Sequence, residues 1–213
     1  VELLEAAGYR VELLDRPACC GLTWITTGQL DSARSIVGRT VEALHPWVAD
    51  GVPVVGLEPS CLGVLRADAV ELLHGTALHQ RAADVAAGVL TLAELLQRTD
   101  GWEPPDLTGT ELVVQPHCHQ SSVIGFEADL ALLESTGATV TRLGGCCGLA
   151  GNFGVEKGHY EVSVAVAEQQ LLPAVRAAGP DAVVVADGFS CRTQLDDLTD
   201  TAPVHLAELL RRR

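Results

Sequence analysis

The chain has 213 residues, 47% hydrophobic and 20% charged, a balance that suits a packed core and excludes a disordered chain. Its 14 Lys and Arg stand against 28 Asp and Glu, a formal charge of -14 that repels polyanions, so no nucleic-acid partner is expected. No apolar run reaches the roughly 18 residues of a spanning helix, and the start VELLEAAGYR lacks the layout of a secretion signal. A cytoplasmic protein, free or peripheral to a membrane, with no transmembrane segment is expected.

In chain order, LLEAAGYRV at 3–11 runs into RPACCG at 16–21. An amphipathic stretch near 30–49 predicts a helix, and the valine-rich run Val52 to Leu57 a buried strand ending shortly before Cys61. A helix is expected near 83–98. The stretch DGWEPPDLTG then breaks any helix with Pro104, Pro105 and Gly109.

The same order recurs. Leu112 to Gln115 predicts a strand before Cys118, a helix follows near 124–136, and LLESTGATV at 132–140 runs into GGCCG at 144–148. A helix near 156–178 and a strand from Ala182 to Ala186 precede Cys191. Between Cys20 and Cys61 lie 40 residues, and between Cys147 and Cys191 lie 43. The repeat predicts two units, 1–108 and 109–213, related by a pseudo-twofold. Strands alternating with helices predict an α/β fold, each unit a mostly parallel sheet flanked by helices with cysteines at strand carboxyl ends.

The second unit opens with a strand for which the first has no counterpart, and the chain has no methionine. A piece of a longer protein, with the opening strand of the first unit missing, is expected. The runs YRVELL and ATVTRL before the double cysteines also read as short strands.

Seven cysteines, an odd number with two adjacent pairs, suit a disulfide framework poorly and metal or redox work well. Cys118, Cys146, Cys147 and Cys191 supply four thiols; Cys19, Cys20 and Cys61 supply three. Adjacent cysteines are unusual for one tetrahedral zinc, whose ligand pairs are spaced by two to four residues, whereas neighbouring thiolates reach different irons of a cluster. Gly145, Gly148 and Gly151 would let backbone amides approach cluster sulfurs. His117 and His119 flank Cys118 as candidate ligands or donors, while His45, His74, His79, His159 and His205 read as surface or satisfied residues. Trp24 and Trp47 read as core, and Arg211 to Arg213 as a solvated helix end.

The CCG boxes, with EPSCLGVLRADAVELL, PHCHQ, GGCCGLAGNFGVEKGHYEVSVAVAEQ and GFSCRTQL, resemble the cysteine-rich (CCG) domain found in a subunit of heterodisulfide reductase. They also resemble that of the iron-sulfur subunits of glycolate oxidase and anaerobic glycerol-3-phosphate dehydrogenase. The likeness is greatest to the C-terminal part of bacterial FAD-linked oxidases of the D-lactate and D-2-hydroxyglutarate dehydrogenase type. It implies an iron-sulfur electron-transfer domain of an oxidoreductase, binding a [4Fe-4S] cluster or, alternatively, zinc. FAD and ferredoxin-like domains would lie upstream on the same polypeptide, with a quinone or a carrier protein as electron acceptor.

The ligands the resemblance implies are Cys118, Cys146, Cys147 and Cys191 first, then Cys19, Cys20 and Cys61. Gly188 and Gln194 around Cys191, and Glu58 and Val64 around Cys61, depart from the closing Cys-x2-Cys of heterodisulfide reductase, so neither unit has its five-cysteine set. The chain alone is not expected to catalyse dehydrogenation. The competing expectation is a structural or interaction module that binds zinc or no metal.

Overall fold

Short apolar runs pair in parallel, and the helices between them cover the sheet faces. The computed structural model describes residues 1–211. Arg212 and Arg213 lie outside the described residues, and Arg211 pairs with Glu2 at 2.7 Å.

The first half contains α1 (Glu2–Ala6), α2 (Leu22–Thr26), α3 (Leu30–Ala49), β1 (Val54–Gly56) and α4 (Pro59–Gly63). A π-helical turn (Val64–Asp68) leads into α5 (Ala69–Leu72), followed by α6 (His79–Gly88), β2 (Val89–Thr91) and α7 (Leu92–Gln97). The second half opens with β3 (Glu111–Val114) and a second π-helical turn (Gln120–Ile124), then α8 (Glu127–Ser135) and β4 (Thr139–Arg142). It closes with α9 (Tyr160–Ala167), α10 (Leu171–Ala177), β5 (Val183–Val185), α11 (Phe189–Leu198) and α12 (Leu206–Leu210).

β1 and β2 form one parallel sheet, and β4, β3 and β5 a second with β3 at its centre. Val204 adds a parallel bridge to Val185, as β2 does to β1. This is the expected α/β architecture, and the bridge extends the likeness between the halves.

Four expectations change in the structure. The helix expected at 83–98 is divided by β2, because Val89 and Leu90 are buried beside β1 and Thr91 starts a new helix. Thr91 Oγ1 accepts the Glu94 N–H at 3.1 Å while the Glu94 carboxylate accepts the Thr91 N–H at 2.8 Å, closing a capping box. Leu-Ala-Glu-Leu-Leu at 92–96 returns at 206–210 behind His205, whose Nδ1 accepts the Ala207 N–H at 3.0 Å, with Glu208 in the place of Glu94. The stretch 156–178 is likewise two helices, parted at Gln170, whose side chain accepts the Gly144 N–H at 3.0 Å.

Residues 9–14 form no strand. Backbone groups of an extended segment need a neighbour to bond, and among the described residues no strand of the first half occupies the place that β3 takes beside β4. Trp47 is 37% exposed on α3 and Trp24 half-buried, so neither is the core residue expected.

The apolar side chains gather in three clusters. One lies within the first half, around Val37, Val41, Leu62, Val85 and Val89. A second joins Leu92 and Leu96 of α7 to Leu112, Leu133, Leu206 and Leu209, so the halves share a core across residue 108. The third, with Val113, Leu171, Val184 and Leu195, lies under the double-cysteine loop and includes Cys147 and Cys191. Each fully buried leucine contributes roughly 1.5–3 kcal/mol, so these clusters hold the loop from below.

Candidate metal centre

Parallel strands deliver their carboxyl ends to one edge, and here those ends carry sulfur. β1 leads to Cys61 in α4, β3 to Cys118 in the helical turn ahead of Gln120, β4 to Cys146 and Cys147, and β5 to Cys191 in α11. Cys19 and Cys20 follow the unpaired segment 9–14 instead. Each π-helical turn begins two or three residues past a cysteine, Cys118 or Cys61, a deviation that recurs at functional sites.

In the second half four thiols make a row. Cys118 Sγ lies 3.5 Å from Cys146 Sγ, Cys147 hydrogen-bonds Cys146, and Cys191 hydrogen-bonds Cys147. Donation by Cys118 and Cys147 and by the Gly148 amide at 3.3 Å holds the Cys146 thiol far below its ordinary range. The donors are driven the other way: Cys118 is raised by its bond to Cys146, and Cys147 by its bonds to Cys146 and Cys191. Cys146 is thus the member of the row whose thiolate form is most favoured. Cys118 is exposed, Cys146 half-buried, and Cys147 and Cys191 buried, so the row runs from solvent into the core.

The first half repeats the motif with three thiols. The Gly21 amide meets Cys19 Sγ at 3.4 Å, matching Gly148 and Cys146. Cys61 hydrogen-bonds Cys20, which lowers Cys20 to about 7 and raises Cys61. Among the described residues no three His, Cys, Asp or Glu side chains are grouped to hold a single metal ion.

The flanking groups have defined places. His117 is buried and its Nδ1 accepts the His119 N–H at 3.2 Å; burial pushes its pKa down. A Cβ on Gly188 would lie 2.2 Å from its ring, so glycine there admits the imidazole. The His119 ring stands edge-on to that of His117 at 5.5 Å between centroids, and its buried Nδ1 has no partner. The two histidines adjoin despite the intervening cysteine, because residues 118 and 119 are already helical.

The loop glycines serve packing as well as access. Gly148 has φ +94°, and a Cβ there would meet the Ser163 carbonyl oxygen at 2.1 Å, so α9 packs directly on the loop backbone. Gly145 lies against Gln170 and gives its carbonyl to Gln115 Nε2 at 2.8 Å. Gly151, at φ +73°, donates its N–H to Ser190 Oγ at 3.3 Å.

Two residues that shape the site carry no motif. Glu58 accepts the Ser60 N–H at 3.2 Å with one oxygen and the Phe189 N–H at 2.8 Å with the other, so one carboxylate holds the starts of both α4 and α11. In the sequence it stands out only as the residue three before Cys61. Gln115, buried at the end of β3, ties that strand to the Gly145 loop. A polar residue closing an apolar run was its only sign.

The cysteine-rich domain family known as CCG matches residues 1–66 and 126–196, the segments holding both double-cysteine loops, Cys61 and Cys191. The chain belongs to this family. Its relatives include oxidoreductase proteins by name. An anaerobic glycerol-3-phosphate dehydrogenase subunit of Escherichia coli K12 is 29% identical over 99% of this chain and 53% of the relative. Lactate utilization protein A of Bacillus subtilis is 24% identical over 88% of the chain and 78% of the relative. D-2-hydroxyglutarate dehydrogenase of Escherichia coli K12 is 25% identical over 99% of the chain and 20% of the relative. The chain therefore spans about half the length of the first and a fifth of the last. No helix among the described residues is long and apolar enough to cross a membrane.

Proposed function

We propose that this CCG domain is an iron-sulfur electron-transfer module of an FAD-linked 2-hydroxy acid oxidoreductase, with units 1–108 and 109–213 and the cluster on the second. The observation that carries the reading is the four-thiol row, in which Cys118 Sγ lies 3.5 Å from Cys146 Sγ and the Gly148 N–H meets Cys146 Sγ at 3.3 Å. A row suits ligands that attach to separate metal atoms better than ligands that surround one ion.

The donor set fits such a group. Cys118, Cys146, Cys147 and Cys191 would hold a [4Fe-4S] cluster, which when bound supplies a one-electron redox centre. Gly148 N–H keeps Cys146 in place, and the unpartnered His119 Nδ1 is available as a hydrogen-bond partner beside Cys118. Hydrogen bonds of this kind, to the groups that hold a metal, orient the ligands and tune potential. Buried Cys147 and Cys191 exclude water on the core side, while exposed Cys118 marks the side where a donor or acceptor approaches. The dehydrogenases named among the relatives support a redox role, and a flavin domain upstream with a quinone or carrier protein as acceptor belongs to the same proposal.

The test is iron, acid-labile sulfide and zinc per chain after purification without oxygen, on the native chain and on Cys146→Ala. About four iron and four sulfide, lost in the variant, is the expected result. About one zinc and no iron would overturn it in favour of a structural module.

A further inference from the structure

At the carboxyl end of β3, on the face of the sheet that packs against the core shared by the two halves, lies a cavity of about 10 Å³, room for one water, lined by Gln115, Gln120, Phe126, Asp129, Leu133 and Asp187 among others. Asp129 is 3% exposed and Gln115 1%. One Asp129 oxygen takes a hydrogen bond from Gln120, and Oδ2 has no partner. Gln115 spends its amide hydrogens on the carbonyls of Gly145 at 2.8 Å and Pro116 at 3.0 Å, and its Oε1 has no partner either. Both orphaned oxygens belong to residues that line a space that fits one water, and a water can accept a hydrogen from a protonated carboxyl and give one to an amide oxygen.

The charges around Asp129 decide its state. Asp187 faces it from the β5–α11 loop, with Oδ1 accepting the Leu206 N–H at 2.7 Å and His205 Nδ1 3.6 Å away. Glu94 acts on it from α7, itself bonded by the Arg66 guanidinium, and Arg142 is engaged 5.1 Å from the Phe126 ring centroid. Burial is the main cause that raises Asp129, and the charges acting on it, Asp187 and Glu94, are carboxylates that add to the effect. Two adjacent carboxyls out of water do not both ionise without a compensating positive charge. Burial pushes Asp187 up as well, but nearby His205 and the Leu206 N–H favour its anion, whereas Asp129 Oδ2 has no donor.

We infer that this cavity is a proton site: Asp129 holds a proton as a neutral acid, one water joins it to Gln115, and losing the proton loosens Gln115 from the Gly145 carbonyl. In the neutral state the acid donates to the water, and the water donates to Gln115 Oε1. When the proton leaves for solvent water, with no electron transferred, Asp129 and Asp187 compete for the hydrogens of the cavity water. Gln115 Oε1 then loses its donor, and the amide turns. Its other end is bonded to the loop that carries Cys146 and Cys147, so the carboxyl and the loop share one hydrogen-bonded path. This holds whether or not the cysteines carry a metal.

The experiment is a pH titration by carbon-detected magnetic resonance of the reduced, metal-free full chain, following Asp129 Cγ and the Gln115 side-chain amide. Asp129 is expected to titrate with a midpoint of about 7, and the Gln115 amide to shift at the same midpoint. In Asp129→Asn, isosteric with the neutral acid, the Gln115 shift becomes independent of pH. An Asp129 midpoint in the ordinary carboxylate range overturns the proposal, as does a Gln115 shift that persists in the variant. A midpoint that moves with sodium or potassium at fixed ionic strength would mean that a cation, not a proton, balances the pair, and also overturns it. Should Asp129→Asn not fold, the coincidence or separation of the two midpoints in the native chain decides.

Discussion

Replacing Gly148 by alanine tests why the double-cysteine loop is rich in glycine. At φ +94° an L residue is strained, and its Cβ would lie 2.1 Å from the Ser163 carbonyl oxygen, a backbone atom of α9 that no rotamer change can move aside. The left-handed backbone costs roughly 1–2 kcal/mol. Forcing an atom into a packed contact adds about 1–3 kcal/mol, for a sum of about 2–5 kcal/mol. At about 2–4 °C per kcal/mol for a chain of this size, Tm falls by about 4–20 °C. Gly151→Ala is the control, since its φ is +73° but nothing lies within 4 Å of the added Cβ. It carries the backbone cost alone, so Tm falls by about 2–8 °C. Thermal unfolding of the reduced, metal-free chain by circular dichroism reads both. Because the Gly148 N–H also holds Cys146 Sγ, iron uptake on reconstitution is expected to drop in Gly148→Ala and to persist in Gly151→Ala. Equal Tm losses in the two variants would refute the packing account.

Asp129 makes stability depend on pH in a defined window. Its folded pKa is raised from 3.8 to about 7, so its contribution is fully present below 3.8 and is lost as pH rises through 7. The loss is on the order of 4 kcal/mol, and urea midpoints for Asp129→Asn are expected to fall less over that window. Glu58→Ala removes the acceptor from the starts of α4 and α11; a cost of about 1–3 kcal/mol is expected in urea unfolding, with Glu58→Gln restoring part of it. Glu94→Ala loses both a capping box and the Arg66 pair, whereas Glu208→Ala loses a box alone. The first is expected to cost about 2–3 kcal/mol and the second about 1 kcal/mol, and equal costs would mean that the Arg66 pair adds nothing.

Much of the fold was legible because its signals are local. Val54–Gly56, Glu111–Val114 and Val183–Val185 lie where short apolar, valine-rich runs predict buried parallel strands, and α3 spans the expected residues 30–49. β2 was hidden because Val89 to Thr91 fits the helical period of its flanks, and only pairing with Val54–Gly56 selects the strand. The run at 9–14 failed for the opposite reason, a strand-like sequence with nothing among the described residues to pair with. At the candidate centre the cysteines announce themselves by repetition. Glu58 does not, because one of its partners, Phe189, lies 131 residues away, and Gln115 reaches a carbonyl 30 residues on.

The two sulfur sets are alike in construction and unequal in count, so they should load unequally. Cys146 receives hydrogen bonds from Cys118 and Cys147, whereas Cys20 receives one from Cys61 and lies at about 7. The missing member is the counterpart of Cys118, which β3 delivers in the second half and no strand among the described residues delivers in the first. Three thiols leave a coordination position to an outside ligand, so the second set should load first and the first should load incompletely. Iron per chain is therefore expected to fall steeply in Cys118→Ala and to change little in Cys61→Ala. The opposite ranking would place the working centre on Cys19, Cys20 and Cys61, with its fourth ligand supplied from outside the described residues.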